Sequence, residues 1–349
     1  MDMQRLRNVA AAGLIALAGA CASSPNNDVV QDAQFSFAVI GDIPYNDDDR
    51  DVFDNDIVPA IQTGGYPFVI HVGDYKGGGA PCTAQEDDAQ IALIEKLAPI
   101  PVFYTPGDNE WTDCDRFVDP ATGKPQSELQ RLARLKELFF EEPVDAPEIM
   151  SVMMQPDAPG NMMWRYEGVR FLTVHVVGTG NGRRAVAGDD PDEAGTLADK
   201  RERDAVNWIT AASIAAKSEN ARALVIAMHA DMSDVNPENL GVPCVGAVAS
   251  LDETCDAFIA LRFALRKAAE DFGGPTLLIH GDTAPFTLGQ SFAGEELASF
   301  WVLNAAGDHG VTGEGFHYGV QDSTKVIFDP SASSPFDAWG IATGQRAKQ

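Results

Sequence analysis

Basic residues are scarce in this sequence. Lysine and arginine together number 25 against 52 aspartates and glutamates, a formal charge of −27, and nothing basic clusters. Nucleic-acid binding is thereby disfavoured, because phosphate backbones are held by grouped Lys and Arg. Cysteine is sparse too, with five in 349 residues, and the absence of C-x-x-C spacing argues against a cysteine-rich zinc site. Long apolar runs are also missing: Val9 to Ala20 is too short to span a bilayer as a helix. There is no P-loop, no G-x-S-x-G elbow, no G-x-G-x-x-G after a strand and no H-E-x-x-H. Serine hydrolysis and dinucleotide chemistry therefore rank low.

What is present is globular in composition, with 45% hydrophobic and 22% charged residues. Arg5 and Arg7 followed by the apolar run to Ala20 read as a signal peptide over residues 1–20. Ala18-Gly19-Ala20 is a small-x-small cleavage site, and Leu17 to Cys21 also reads as a loose lipoprotein box. Plain cleavage and lipidation at Cys21 both stay open, and that lipid is the only membrane contact expected. A polar linker follows to residue 34. The remaining cysteines, Cys82, Cys114, Cys244 and Cys255, are even in number, which suits an exported, periplasmic protein with two disulfides. Cys244 with Cys255 would staple one loop and Cys82 with Cys114 would join two, free buried thiols being the alternative.

Beyond the linker, apolar runs of strand length alternate with segments of helical period, the pattern of an α/β domain. Phe35 to Ile40, Phe68 to Val72, Val102 to Thr105, Phe171 to Val177, Leu224 to Met228, Thr276 to Ile279 and Phe300 to Leu303 are rich in Val, Ile, Leu and Phe, as doubly buried strands are. Helices are expected at Asp51 to Gln62, Ala84 to Leu97, Ser127 to Phe140, Leu197 to Lys217 and Asp256 to Ala269. Met162 to Tyr166, Glu167-Gly168 and Val169 to Val177 form a hairpin pattern, and Gly315 to Phe328 suggests a second strand pair. The expectation is a layered sandwich of mixed β-sheets flanked by helices, one domain over residues 34–330 with a tail at 331–349.

Gly-Asp follows an apolar strand four times, at Gly41-Asp42, Gly73-Asp74, Gly107-Asp108 and Gly281-Asp282, and His229 ends a fifth strand. Ligands of open α/β sheets bind beyond the carboxyl ends of strands, so these side chains are candidates to meet in one crevice. Four carboxylates gathered there repel one another unless cations neutralise them, and carboxylate oxygens are hard donors. One or two divalent ions (Mn, Mg, Ca or Zn) are therefore expected.

In order and spacing the series resembles the calcineurin-like metallophosphoesterases, whose motifs run Asp-x-His, Gly-Asp, Gly-Asn-His, a strand-end His and Gly-His-x-His. Asp42-Ile43-Pro44, Gly73-Asp74, Gly107-Asp108-Asn109-Glu110-Trp111, His229 and Gly281-Asp282-Thr283-Ala284 stand at these places. The resemblance covers nearly all of residues 34–330, and Gly107 to Trp111 looks like a form recurrent in uncharacterised bacterial members. It implies metal ligation by Asp42, Asp74, Asp108, His229 and Asp282, with Asp74 bridging and Asn109 at the family's catalytic histidine. Pro44 and Ala284 replace two histidine ligands, leaving one metal position short unless Tyr45, His71 or His280 contributes. Exchanging His and Asn for Asp makes the site more oxygen-rich and moves its preference away from zinc.

These residues imply a phosphoric ester hydrolase acting on a small phosphorylated substrate, with Asn109, Asp74 and His229 at the catalytic centre. Asn181, Arg183 and Arg184, just past a strand end, are candidates for contact with an anionic substrate. Gly307-Asp308-His309-Gly310 and His317 form a reserve of ligands, and Trp111 either walls the pocket or packs in the core. The rival reading is a catalytically silent metal- or ligand-binding envelope protein, favoured by Pro44, Asn109 and Ala284.

Overall fold

Along the first strand, β1 (Phe35–Ile40), Phe37 and Val39 face one way and Ala38 and Ile40 the other, and all four are fully buried. A strand covered on both faces demands a layer on each side. The computed structural model describes residues 33–158, 160–184, 187–233, 241–248, 255–307 and 319–349. The expected signal peptide, Cys21 and most of the linker lie outside the described residues, as do Asp308, His309 and His317.

The strands after β1 are β2 (Val69–His71), β3 (Val102–Tyr104), β4 (Met153–Met154), β5 (Met162–Tyr166), β6 (Val169–Thr173), β7 (Ala223–Ala227) and β8 (Thr276–His280). β9 (Thr287–Gly289), β10 (Ser291–Phe292), β11 (Glu295–Glu296), β12 (Phe300–Asn304), β13 (Thr324–Phe328) and β14 (Phe336–Gly340) complete them. One mixed sheet has the order β14-β13-β1-β2-β3 and the other β4-β5-β6-β7-β8-β12-β9. Each has a parallel centre, β1-β2-β3 and β6-β7-β8-β12, with antiparallel strands at its margins.

The inner faces pack together through Phe37, Phe68, Phe103, Trp164, Phe171, Val225, Leu277, Leu303 and Phe336. Trp164 stacks on Phe103 with centroids 3.7 Å apart. Helices Pro191–Ser218 and Ile259–Phe272 cover the outer face of the larger sheet with Ala205, Ile209, Ala212, Leu261 and Leu265. Ile57, Ile61, Leu93 and Leu97 cover the other. Helix Pro191–Ser218 starts ahead of the expected Leu197 because Asp190 caps it, accepting from the amides of Asp192 and Glu193, with Pro191 in the first turn. Asn46 likewise caps a helix at Asp47–Val52, which runs through a π-helical turn, Phe53–Ile57, into Val58–Thr63. The Met162–Tyr166 hairpin forms as expected.

One expectation is corrected. Residues 331–349 are not a tail: β14 lies within them, Phe336 and Ala338 are buried, and Ala347 joins the inner core. Of the strand pair expected over Gly315 to Phe328, residues 315–318 lie outside the described residues, and Thr324–Phe328 is β13, paired with β1 and with the downstream β14. Both disulfides form, Cys82–Cys114 and Cys244–Cys255, with Cα atoms 5.6 and 5.0 Å apart. Such bonds persist in oxidising compartments. No helix among the described residues is long and apolar enough to cross a membrane.

Candidate metal centre

The parallel strands of both sheets end on one side of the sandwich, and each of five ends carries a polar residue that is buried or nearly so. Asp42 follows β1, Asp74 β2, Asp108 β3, His229 β7 and Asp282 β8. Their ligand atoms form two overlapping groups, Asp42 with Asp74 and His229, and Asp108 with His229 and Asp282, each within 4.8 Å. All five expected ligands are thus brought together, and His229 belongs to both groups.

Local backbone explains how this is achieved. Asp42, Asp74 and Asp282 have φ of 57°, 57° and 68°, a left-handed conformation that Asp tolerates better than most residues. The glycines before Asp108 and Asp282 permit close approach. A Cβ on Gly107 would stand 2.1 Å from Asp74 Oδ1, and one on Gly281 2.1 Å from Asp42 Oδ2. The repeated Gly-Asp therefore serves a neighbouring strand's carboxylate as well as its own turn.

His229 Nδ1 lies 2.9 Å from the Val72 carbonyl. A carbonyl only accepts, so Nδ1 carries the proton and Nε2 is turned toward Asp108 Oδ1 at 3.2 Å, Asp74 Oδ1 at 3.4 Å and Asp282 Oδ1 at 3.8 Å. Burial lowers the His229 pKa, but Asp74, Asp108, Asp282 and Asp42 together raise it well above the ordinary histidine value. Burial also raises Asp74 well above the carboxylate range and pushes Asp282 up to about 7. Desolvated carboxylates around one imidazole, with its tautomer fixed for ligation by Nε2, are a donor set that fits a divalent cation.

Tyr45 sends its hydroxyl to 3.1 Å from Asp42 Oδ1 and 3.2 Å from Asp74 Oδ2. Asn109 donates its amide N–H to Asp74 Oδ1 at 3.0 Å and its side-chain Nδ2 to Asp74 Oδ2. It is thus a positioning residue for the carboxylate expected to bridge. His71 and His280 stand back: Nδ1 of His71 accepts from Gly73 N at 3.1 Å, and His280 faces the Gly281 carbonyl and, at 3.8 Å, Asp231.

Asn181 and Arg183, the candidates for substrate contact, are both buried and held by protein partners. Arg183 is buried and paired with Asp199 and with Glu202 at 3.2 Å, both on the long helix, and donates to the Gly246 carbonyl. Asn181 is buried and accepts from Arg201 Nε at 3.3 Å. Arg184 is the exposed member of the trio; with Thr112, Asp113, Asp115, Arg116, Glu128, Thr179 and Gly182 it lines a cleft of about 170 Å³. That cleft adjoins the centre, because Thr112 Oγ1 donates to the Asp108 carbonyl and Thr179 Oγ1 to Thr112. Trp111 is a packed aromatic, buried under the Arg201 guanidinium at 4.7 Å.

Two residues escaped sequence reasoning. Glu110, fully buried, accepts from the amides of Asp74 (3.1 Å) and Gly107 (2.7 Å) and from the Tyr104 hydroxyl (2.7 Å), so it ties the second and third motif loops together. Lys76, also buried, donates to the Ala80 carbonyl at 2.9 Å. A Glu after Asp-Asn gave the only signal for the first; nothing marked the second.

No family model matches the sequence, and no curated protein does. Among solved structures, PhoD is similar over 90% of this chain and 68% of its own, with a TM-score of 0.51 and 13% identity. The chain has a metallophosphoesterase-type fold. GAP50, the anchor in the inner membrane complex of Plasmodium, is similar over 89% of this chain and 86% of its own, with a TM-score of 0.46 and 12% identity. At such identities the likeness to PhoD speaks for the fold alone.

Proposed function

We propose that this chain is a metal-dependent phosphoric ester hydrolase acting outside the cytoplasm, in a variant branch whose third motif is Gly107 to Trp111. The observation that supports it most is the convergence of four carboxylates and His229 into two ligand groups sharing one imidazole. Asp108, His229 and Asp282 would hold one divalent ion and Asp42 another, with Asp74 near both; His229 serves one ion only, because its Nε2 has a single lone pair. Bound there, such ions polarise a phosphoryl oxygen and make a water acidic enough to attack phosphorus.

The chain's own residues do the rest. His229 keeps Nε2 aimed into the site through its Val72 hydrogen bond, and Asn109 and Glu110 hold Asp74 and its loop in register. Asn109 has no proton to give a leaving alkoxide at ordinary pH, so esters of acidic alcohols and phenols are the favoured substrates. Arg184, and Arg116 paired with Asp113, line the cleft beside Asp108 and would be the cations to meet an anionic substrate. The two disulfides support an extracytoplasmic setting, the periplasm, reached through the signal peptide with or without lipid on Cys21.

The test is hydrolysis of p-nitrophenyl phosphate and its bis ester by the mature protein with manganese, magnesium, calcium or zinc. Turnover that chelator abolishes and Asp74→Asn lacks is expected. A chelator-resistant rate, or one unchanged in Asp74→Asn, would refute the proposal. A metal-loaded protein silent on both esters would move the reading to a binding protein.

A further inference from the structure

We propose that the Tyr45 hydroxyl is itself a metal ligand, completing the position that Pro44 cannot serve. The inference rests on the reading of the cluster as a metal centre. In that position Asp42 and Asp74 supply the donors, because the single Nε2 lone pair of His229 goes to the ion beside Asp108 and Asp282, which leaves a six-coordinate ion short of protein ligands. The Tyr45 oxygen stands 3.1 Å from Asp42 Oδ1 and 3.2 Å from Asp74 Oδ2. Oxygens that ligate one ion at about 2.1 Å and at right angles stand about 3 Å apart. Both distances from the Tyr45 oxygen therefore match the spacing of neighbouring ligands on one ion.

Proton counting points the same way. A phenol carries one O–H, so as a donor it serves one of the two carboxylates and brings its own oxygen close to the other. A cation at the point the three oxygens share attracts all of them. The ring is held for this role. Tyr45 N donates to Asp49 Oδ2 at 3.0 Å; Asp49 is fully buried and accepts from Gln321 Nε2 at 2.7 Å through its other oxygen. Gly77 lies against the ring, where a Cβ would stand 3.5 Å from Tyr45 Cβ. On ligation the O–H bond breaks, its proton leaves to solvent and the oxygen's electron pair forms the bond to the ion. With oxygen donors alone, the position suits a hard cation such as manganese or magnesium better than zinc.

The experiment titrates the mature, chelator-stripped protein with Mn²⁺, counting sites by calorimetry and following tyrosine ionisation by ultraviolet difference absorption. Wild type is expected to bind two ions with a tyrosinate signal at the first position. Tyr45→Phe should lose that signal and weaken the first position by about 10-fold or more, with the second kept. Tyr45→His, which restores a ligand, should recover two sites without the signal and bind zinc better than wild type does. Full binding by Tyr45→Phe, or a wild-type titration silent in the ultraviolet, would overturn the proposal while leaving the metal centre intact. A wild type that binds no manganese would remove both.

Discussion

Replacing Gly107 by Ala tests whether the close approach of neighbouring strand ends builds the centre. The new Cβ would stand 2.1 Å from Asp74 Oδ1 and 2.5 Å from Asp74 N, where carbon atoms are not found closer than 3.0 Å. The two loops must therefore part by roughly 1 Å. Neither side gives cheaply, since Glu110 holds both Asp74 N and Gly107 N. Overpacking of this kind costs about 1–3 kcal/mol, which for a domain this large lowers Tm by about 2–4 °C per kcal/mol. Because Asp74 is moved, metal affinity should fall by about 10–100-fold as well. Gly79→Ala is the control: nothing lies within 4 Å of its Cβ, so its stability should stay within about 0.5 kcal/mol of wild type. Thermal unfolding and Mn²⁺ calorimetry on the two variants read both quantities. If Gly107→Ala melts and binds like Gly79→Ala, the reasoning is wrong.

Three further outcomes are expected. In the metal-free protein His229 and Asp74 titrate well above their usual ranges and Asp282 near 7. A cation must displace those protons, so calorimetry should show affinity falling as pH drops through about 7, with proton release on binding. Glu128 is pushed up to about 9 by burial, then by Asp115, Asp189 and Asp113. Folding therefore takes up a proton there, and stability is lost as pH rises from the unfolded value of 4.5 toward 9. Glu128→Gln should flatten that part of the curve in denaturant melts and be the more stable protein at about pH 8. The Cys82–Cys114 bond closes a loop of 32 residues, worth roughly 3–4 kcal/mol by chain entropy. The double Ala variant should show a loss of that size in chemical denaturation.

The metal cluster was legible because each ligand breaks an apolar strand at its carboxyl end, a local signal that topology then focuses onto one side of the sandwich. His229 could be placed for the same reason. The partners of Arg183 were not legible, because a loop arginine after a strand gives no sign of them; Asp199 and Glu202 reach it from a helix that packs there only in the tertiary structure. Glu110 has acidic neighbours in Asp108, Asp113 and Asp115 and nothing local that shows where its side chain goes; the tight turn from Asp108 to Asp113 folds it inward. β14 did leave a trace, since Phe336, Ala338 and Gly340 alternate with Asp337 and Trp339 and only the first set is buried. Its shortness and the Ser-Pro residues before it hid that period. The acidic residues after Tyr45 do open a helix, and Asp49 among them turns fully inward to hold Tyr45 N.

Whether the converging strand ends hold metal is read from metal content by mass spectrometry. The mature protein and its Asp74→Asn variant would be loaded with manganese, passed through a desalting column and counted. One or two ions per chain are expected in wild type and fewer in the variant, with both proteins folded by circular dichroism. A wild-type protein that retains no ion, or an Asp74→Asn variant that retains as many as wild type, would contradict that expectation.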